Sequence, residues 1–265
     1  MNEVYPLRYT TMGLIYISPE DDCGSVVDAM VSTGYGEEFC IALDWDTQFI
    51  ARLMKAGFLV MSETVTLKDE KGITISGDLV LPKLHLVRSA LFFENLHVKR
   101  SLKGYVPRYE LFFDTEFETI VSKCLQVHGM GWLTPSLVKN LFMIRKNAGA
   151  GDALYNKKTP DSEPNPFPNL VSSAFPRPVS FELYRNGELK AGEFGVICGR
   201  IYTSYSGFKT EDNAGTVQMI LTARALQKAG FDFLDFGMPL PYKRDLGAFD
   251  ISPEEFVSIF RAAQI

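Results

Sequence analysis

Asn186-Gly187 constrains this chain more than any other pair of residues. It lies between two strand-like stretches, Val179–Tyr184 and Leu189–Cys198. Asn-Gly is the preferred pair for a two-residue hairpin turn, because both central positions take a positive φ. The turn makes the two stretches antiparallel neighbours, and Ile201–Tyr205 reads as the next strand of the meander. Ala214–Lys228 then places Val217, Ile220, Leu221 and Ala225 on one helical face, with Gly230 just past the end. Phe231–Phe236 is an apolar strand, and Ser252-Pro253-Glu254-Glu255 is a capping box that opens a last helix.

The same patterns extend upstream. Tyr109–Phe113 reads as a strand. Phe117, Ile120, Val121, Cys124 and Leu125 follow the spacing of a core-facing helix. Thr134-Pro135 reads as N-cap and first residue of another helix, with Leu137, Val138, Leu141 and Phe142 on its apolar face. Nearer the N-terminus, Asp46 caps a helix from Thr47 to about Gly57. Residues 58–67 and 73–81 alternate as a strand pair around a turn at Lys68–Gly72. The order predicts an α/β (α+β) fold with a mostly antiparallel sheet. Two domains are expected: a small mixed one over 1–105 and a larger one over 106–265. Residues 146–178 hold six of the fourteen prolines, together with Gly, Asn, Ser and Lys157-Lys158. They read as a long loop or mobile insert within the larger domain.

Composition narrows the class. Of 265 residues, 46% are hydrophobic and 22% charged, as in ordinary globular proteins. No apolar run approaches the ~18–20 residues that span a bilayer. The N-terminus has no basic region followed by an apolar stretch, so no signal peptide is expected. A cytoplasmic protein with no membrane partner follows. Cys23, Cys40, Cys124 and Cys198 form no Cys-x-x-Cys pair, and only His85, His97 and His128 could join them around a metal. No zinc site is expected, and the thiols read as reduced and buried. The net charge of −5 means that a nucleic acid would need a local basic patch. Lys99, Arg100, Lys103 and Arg108, with no acid between Asn95 and Tyr109, form such a patch or a solvated face.

Asp235, at the end of an apolar strand, is the main candidate for chemistry. A carboxylate there could orient or activate an attacking amine; the plainer reading is an acid that caps a backbone turn. Trp132 offers either a stacking plane for a base or a core side chain beside a helix start.

Several segments line up in one order. Leu96-His97-Val98-Lys99-Arg100-Ser101-Leu102 precedes a strand, and Trp132-Leu133-Thr134-Pro135 opens a helix. Gly192, Gly195-Val196 and Gly199 punctuate the hairpin, followed by Ser206 and Phe208. Leu234-Asp235 and Leu246-Gly247-Ala248 close the set. Over about residues 44–260, apart from 146–178, the set resembles the leucyl/phenylalanyl-tRNA–protein transferase family. The resemblance implies a small N-terminal domain and a C-terminal acyltransferase domain of the Gcn5-related N-acetyltransferase type. It also implies transfer of Leu or Phe from aminoacyl-tRNA to the free N-terminus of proteins beginning with Arg or Lys, which marks them for degradation. No metal or organic cofactor is needed, and a monomer is expected. Asp235 matches the family's strand-end acid, and Trp132 matches a Trp that holds the terminal adenosine of the tRNA. Ser206, Phe208 and the Gly195–Tyr202 hairpin match the walls of the aminoacyl pocket. Arg88 matches a family Arg and joins Lys99, Arg100 and Lys103 as RNA-binding candidates.

The sequence also departs from the family pattern. Gly237 stands where the family has Gln, and Tyr205 where it has Glu. Pro82 and Lys83 replace a Trp pair, Glu193 replaces an apolar pocket residue, and Gly215-Thr216 replaces Ser-Lys. Three readings result. The favoured one is a tRNA-dependent aminoacyltransferase. The second is a catalytically weak or inactive relative that binds protein N-termini or RNA. The third is an acyl-CoA N-acyltransferase, disfavoured because Glu211 and Asp212 would repel phosphate at the start of the helix after Thr210.

Overall fold

The computed structural model describes residues 5–68, 74–148 and 166–264. In chain order its elements are β1 (Arg8–Tyr9), β2 (Ile15–Tyr16), α1 (Cys23–Ser32), α2 (Thr47–Lys55), β3 (Leu59–Lys68), β4 (Thr74–Lys83), β5 (Arg88–Phe92), β6 (Glu110–Phe113) and α3 (Phe117–His128). There follow α4 (Pro135–Asn147), β7 (Ser173–Arg185), β8 (Glu188–Gly199), β9 (Ile201–Lys209), α5 (Ala214–Lys228), β10 (Phe233–Gly237), α6 (Pro241–Asp245), β11 (Phe249–Ile251) and α7 (Pro253–Ala262). The chain gathers into two compact units: residues 1–86 with 128–146, and residues 87–127 with 147–265. This division differs from the 105/106 border read from sequence. β5 belongs to the second unit because it pairs with β10 and β11, and α4 groups with the first.

In the first unit, the Asp46 carboxylate accepts from the Phe49 amide (2.8 Å), as expected of an N-cap. It orients α2 so that Phe49, Ile50, Leu53 and Met54 are buried. β3 and β4 pair antiparallel throughout; most of their expected turn lies outside the described residues. The α4 side chains are tied to this unit by polar contacts. Ser136 donates to Asp78 (2.6 Å), and Thr47 donates to Asn140 (2.9 Å).

The second unit is built on a seven-stranded sheet of order β11-β5-β10-β9-β8-β7-β6. Every pairing is antiparallel except β9 with β10. Asn186 and Gly187 have φ of 53° and 76°, the two positive angles that the β7–β8 turn requires. β7 begins at Ser173, so part of the expected 146–178 loop is strand. Pro176 falls at a break in register between Ser173 and Arg177, where a missing N–H costs no ladder bond. Residues 149–165 of that segment lie outside the described residues. One sheet face packs Tyr202, Leu234, Leu91 and Phe181 against Ile220, Ala223 and Leu226 of α5. α3 packs on the other face, with Phe117 edge-on to Phe194 of β8. Ser252 caps α7 by accepting from the Glu255 amide. Among the described residues, no helix is long and apolar enough to cross a membrane.

Candidate active site

The parallel pair creates the site. β10 and β9 are in register from Phe233–Ile201 to Asp235–Thr203, and their pairing stops there. β9 nevertheless runs on to Lys209, while β10 ends at Gly237. Ser204, Tyr205 and Ser206 of β9 are half-buried and Gly207 is exposed, so the strands part just beyond Asp235. A bulge shapes the other side of β9. Phe194 pairs with Ser206 but Gly195 pairs with Ser204, which leaves Tyr205 as the extra residue. Gly195 is required at this bulge: a Cβ there would meet the Thr203 carbonyl oxygen at 2.2 Å. The sequence reading ended the strand at Tyr205; the bulge lets it continue.

Asp235 is fully buried, and both of its oxygens are occupied. Oδ1 accepts from Arg88 Nε (3.0 Å) and the Gly237 amide (2.8 Å), and Oδ2 accepts from an Arg88 terminal nitrogen (2.6 Å) and Thr203 Oγ1 (2.9 Å). Burial pushes the carboxyl pKa up. The Arg88 charge, with hydrogen bonds from Arg88, Gly237 and Thr203, outweighs it and holds the group below the usual range. Asp235 is therefore a fixed anion without a spare lone pair at hand for an amine. Arg88 is buried as deeply, with its guanidinium 3.9 Å from the centre of the Phe256 ring. This placement corrects the expectation that Arg88 contacts RNA: in this arrangement its charge is spent on Asp235. Gly237 has a φ of 68°, so the backbone that points its amide at Asp235 would strain a Gln there.

Tyr205, Ser206 and Phe208 come together on the α3 face. Tyr205 stacks on Phe194 (6.2 Å between centroids), and the Lys123 ammonium lies over the Phe208 ring. Cys124 of α3 is pushed up to about 12 by burial, with Ser206 hydrogen bonding and the Glu193 charge as lesser influences. Glu193 sits on the opposite face. Gly192 and Phe194 meet α3, so the residue between them points to α5. There Ser204 Oγ donates to Glu193 Oε2 (2.8 Å). Burial pushes the Glu193 carboxyl up, against hydrogen bonding from Gln218, Ser204 and Thr222. The sequence reading had Glu193 and Ser206 lining one pocket; the sheet's alternation separates them.

Lys243 of α6 was not singled out from sequence. It is buried, and Nζ donates to the carbonyls of Phe236 and Met238 (2.7 Å each), which clamps the chain as it leaves β10. Burial lowers its pKa to about 8, partly offset by the charges of Asp235 and Glu193. Within Pro241–Asp245 it reads as one more surface charge, and nothing in the sequence marks it. Gln218 and Thr222 did leave a signal: a polar pair at i, i+4 interrupts the apolar face of α5.

Lys99, Arg100 and Lys103 are exposed, and Lys99 Nζ is 2.5 Å from Asp245. Trp132 belongs to the first unit. It is half-buried, and its carbonyl accepts from the Ser62 amide and hydroxyl (3.0 Å each).

The family model described as leucyl/phenylalanyl-tRNA protein transferase matches residues 173–261, which lie within the second unit. Proteins of that name from Pseudomonas putida (strain W619) and Pseudomonas entomophila (strain L48) are 29% and 28% identical to it over 174 residues. Over that region the chain is similar to the leucyl/phenylalanyl-tRNA–protein transferase family. The matched region is 64% of this chain and 65% of each of those two relatives. Among solved structures, a GCN5-related N-acetyltransferase from Kribbella flavida aligns with a TM-score of 0.31 at 10% identity, covering 90% of this chain and 75% of that one. At that score nothing is drawn from the likeness. The family match spans β7 to α7, and so includes Glu193, Thr203, Tyr205, Asp235 and Lys243 but not Arg88.

Proposed function

We propose that this chain is an aminoacyl-tRNA–protein transferase. It moves an aminoacyl group, leucyl, phenylalanyl or a related residue, to the N-terminal α-amine of acceptor proteins, which marks them for degradation. The observation that carries this reading is the parting of β9 and β10 beside the buried Asp235–Arg88 pair, in the segment that the family model matches. The sheet with its single parallel pair is read as the acyltransferase arrangement, in which donor and acceptor meet where two strands diverge.

In the reaction, the acceptor nitrogen attacks the ester carbonyl of the aminoacyl-tRNA. The new C–N bond forms as the ester C–O bond breaks. The amine gives up a proton, and the terminal ribose oxygen leaves as a hydroxyl. Asp235 acts here as a positioning residue, holding Arg88 and the Gly237 amide and placing a fixed negative charge near the nitrogen as it becomes positive. In this reading Lys99, Arg100 and Lys103 contact phosphates of the tRNA, and Trp132 keeps the stacking role that the family resemblance gives it. The acyl-CoA reading finds little support, because the approach to α5 carries Glu211, held by Tyr109 (2.6 Å) and Arg185 (2.5 Å). Glu211 thereby occupies the Arg185 guanidinium, a cation that a pyrophosphate would otherwise use.

The test supplies purified protein with a whole pool of aminoacylated tRNA and a peptide beginning with Arg. Peptide-bond formation is expected, and Asp235→Asn should lower kcat by about 10²-fold with a smaller change in KM. Absence of transfer to any amine-bearing acceptor would overturn the proposal and favour a non-catalytic binding role.

A further inference from the structure

Between β8, β9 and α5 lies a group of polar side chains in an otherwise apolar wall. Glu193, Gln218 and Thr222 are buried, Tyr202 is fully buried, and Ser204 is half-buried at the strand parting. Around them Ile220, Ala223, Leu226, Leu234 and Phe236 form the core. Part of the group is internally satisfied: Ser204 donates to Glu193 Oε2, and Gln218 donates to Thr222 (2.9 Å). Two atoms are not. Glu193 Oε1 and the Tyr202 hydroxyl are buried with no hydrogen-bond partner among the described residues. The nearby cation does not fill the gap, since Lys243 Nζ is committed to the Phe236 and Met238 carbonyls.

Buried polar atoms are nearly always paired, and a carboxyl oxygen left empty is costly. The two unpaired atoms lie behind a half-buried serine, next to the point where the strands part. Resting on the transferase reading above, we propose that this group is the side-chain pocket for the donor, and that the preferred aminoacyl group has a side chain bearing N–H donors, such as an amide, ammonium or guanidinium. Glu193 Oε1 accepts from it, the Tyr202 hydroxyl makes a second hydrogen bond, and Ser204 stands at the entrance. Leucyl or phenylalanyl groups would bury Glu193 against hydrocarbon. A site built to hydrogen-bond its substrate rejects an analogue lacking that group strongly, because its own polar atoms are left unpaired.

The test gives the intact protein individually charged tRNAs in parallel, carrying Gln, Lys, Arg, Leu or Phe, with one acceptor peptide. Transfer of at least one of Gln, Lys and Arg is expected to exceed that of Leu and Phe by about 10²-fold or more in kcat/KM. Glu193→Leu should shift the ranking towards Leu, whereas Glu193→Gln should keep a polar preference. The wild-type ranking decides the matter even if a variant fails to fold. Transfer led by Leu or Phe overturns this inference and leaves the transferase reading standing. No transfer from any donor overturns that reading, and this inference with it.

Discussion

Removing the Asp235 carboxylate should damage the second unit as much as it damages activity. Asp235→Ala takes from the Arg88 guanidinium, 1% exposed, the carboxylate it pairs with, and it strips partners from Thr203 Oγ1 and the Gly237 amide. Breaking a buried ion pair from one side costs about 3–5 kcal/mol. For a protein of this size that lowers Tm by roughly 6–20 °C. Replacing both partners, as Asp235→Leu with Arg88→Met, removes the remaining charge and should recover most of the loss. The assay is urea unfolding of wild type, both single variants and the double variant, with a coupling energy of about 2 kcal/mol or more expected from the cycle. The acid limb provides a second readout. The folded-state pKa of Asp235 lies below its ordinary 3.8. Its stabilisation is therefore fully present above 3.8 and lost as pH falls towards the folded pKa, because the unfolded chain takes up the proton first. Asp235→Ala should flatten that limb. A destabilisation under about 1 kcal/mol, or a cycle that adds without coupling, would refute the assignment of Asp235 and Arg88 as a buried pair.

Further outcomes follow from the same structure. Lys243, lowered to about 8 from 10.5, should appear in 13C-lysine NMR as a resonance titrating near 8 that Lys243→Met removes. Because its folded pKa is depressed, the unfolded state binds more protons between about 8 and 10.5, so stability contributed by this group should rise with pH across that window. All four cysteines are buried, and Cys40 and Cys124 are pushed up to about 12, so a thiol reagent at pH 8 should label none quickly before denaturation. Fast labelling of Cys124 in the native protein would show that the buried face of α3 is not packed against the sheet. Ser252→Ala should cost about 1 kcal/mol through loss of the α7 cap, read as a shift in the urea midpoint. Arg100→Glu with Lys103→Glu should weaken tRNA binding and make it less dependent on salt, by roughly one unit of log–log slope for each phosphate no longer neutralised; an unchanged slope would make the patch a solvated face.

Local signals were legible where neighbours in sequence are neighbours in space. The Asn186-Gly187 turn, the Asp46 and Ser252 caps and the limits of α5 all rest on interactions within a few residues, and each can be read directly. β5 could not be read this way. It is five residues long, and its partners β10 and β11 lie far along the chain, so its strand character depends on pairing rather than on its own pattern. The site divides along the same line. Asp235 stood out as a strand-end acid and Arg88 through the family resemblance, but their types do not reveal that they neutralise each other across 147 positions. Arg88 therefore looked like a phosphate ligand. Glu193 stood out as a departure from the family pattern, and alternation along β8 could have assigned it to the face opposite Phe194. Its companions needed the bulge at Tyr205, which turns Ser204 to the Glu193 side while leaving Ser206 with α3. A one-residue slip changes which side chains share a face. The pocket's polarity therefore depends on a register that the side chains of the strand do not announce, and Gly195, where a Cβ would strike the Thr203 carbonyl, fits that register.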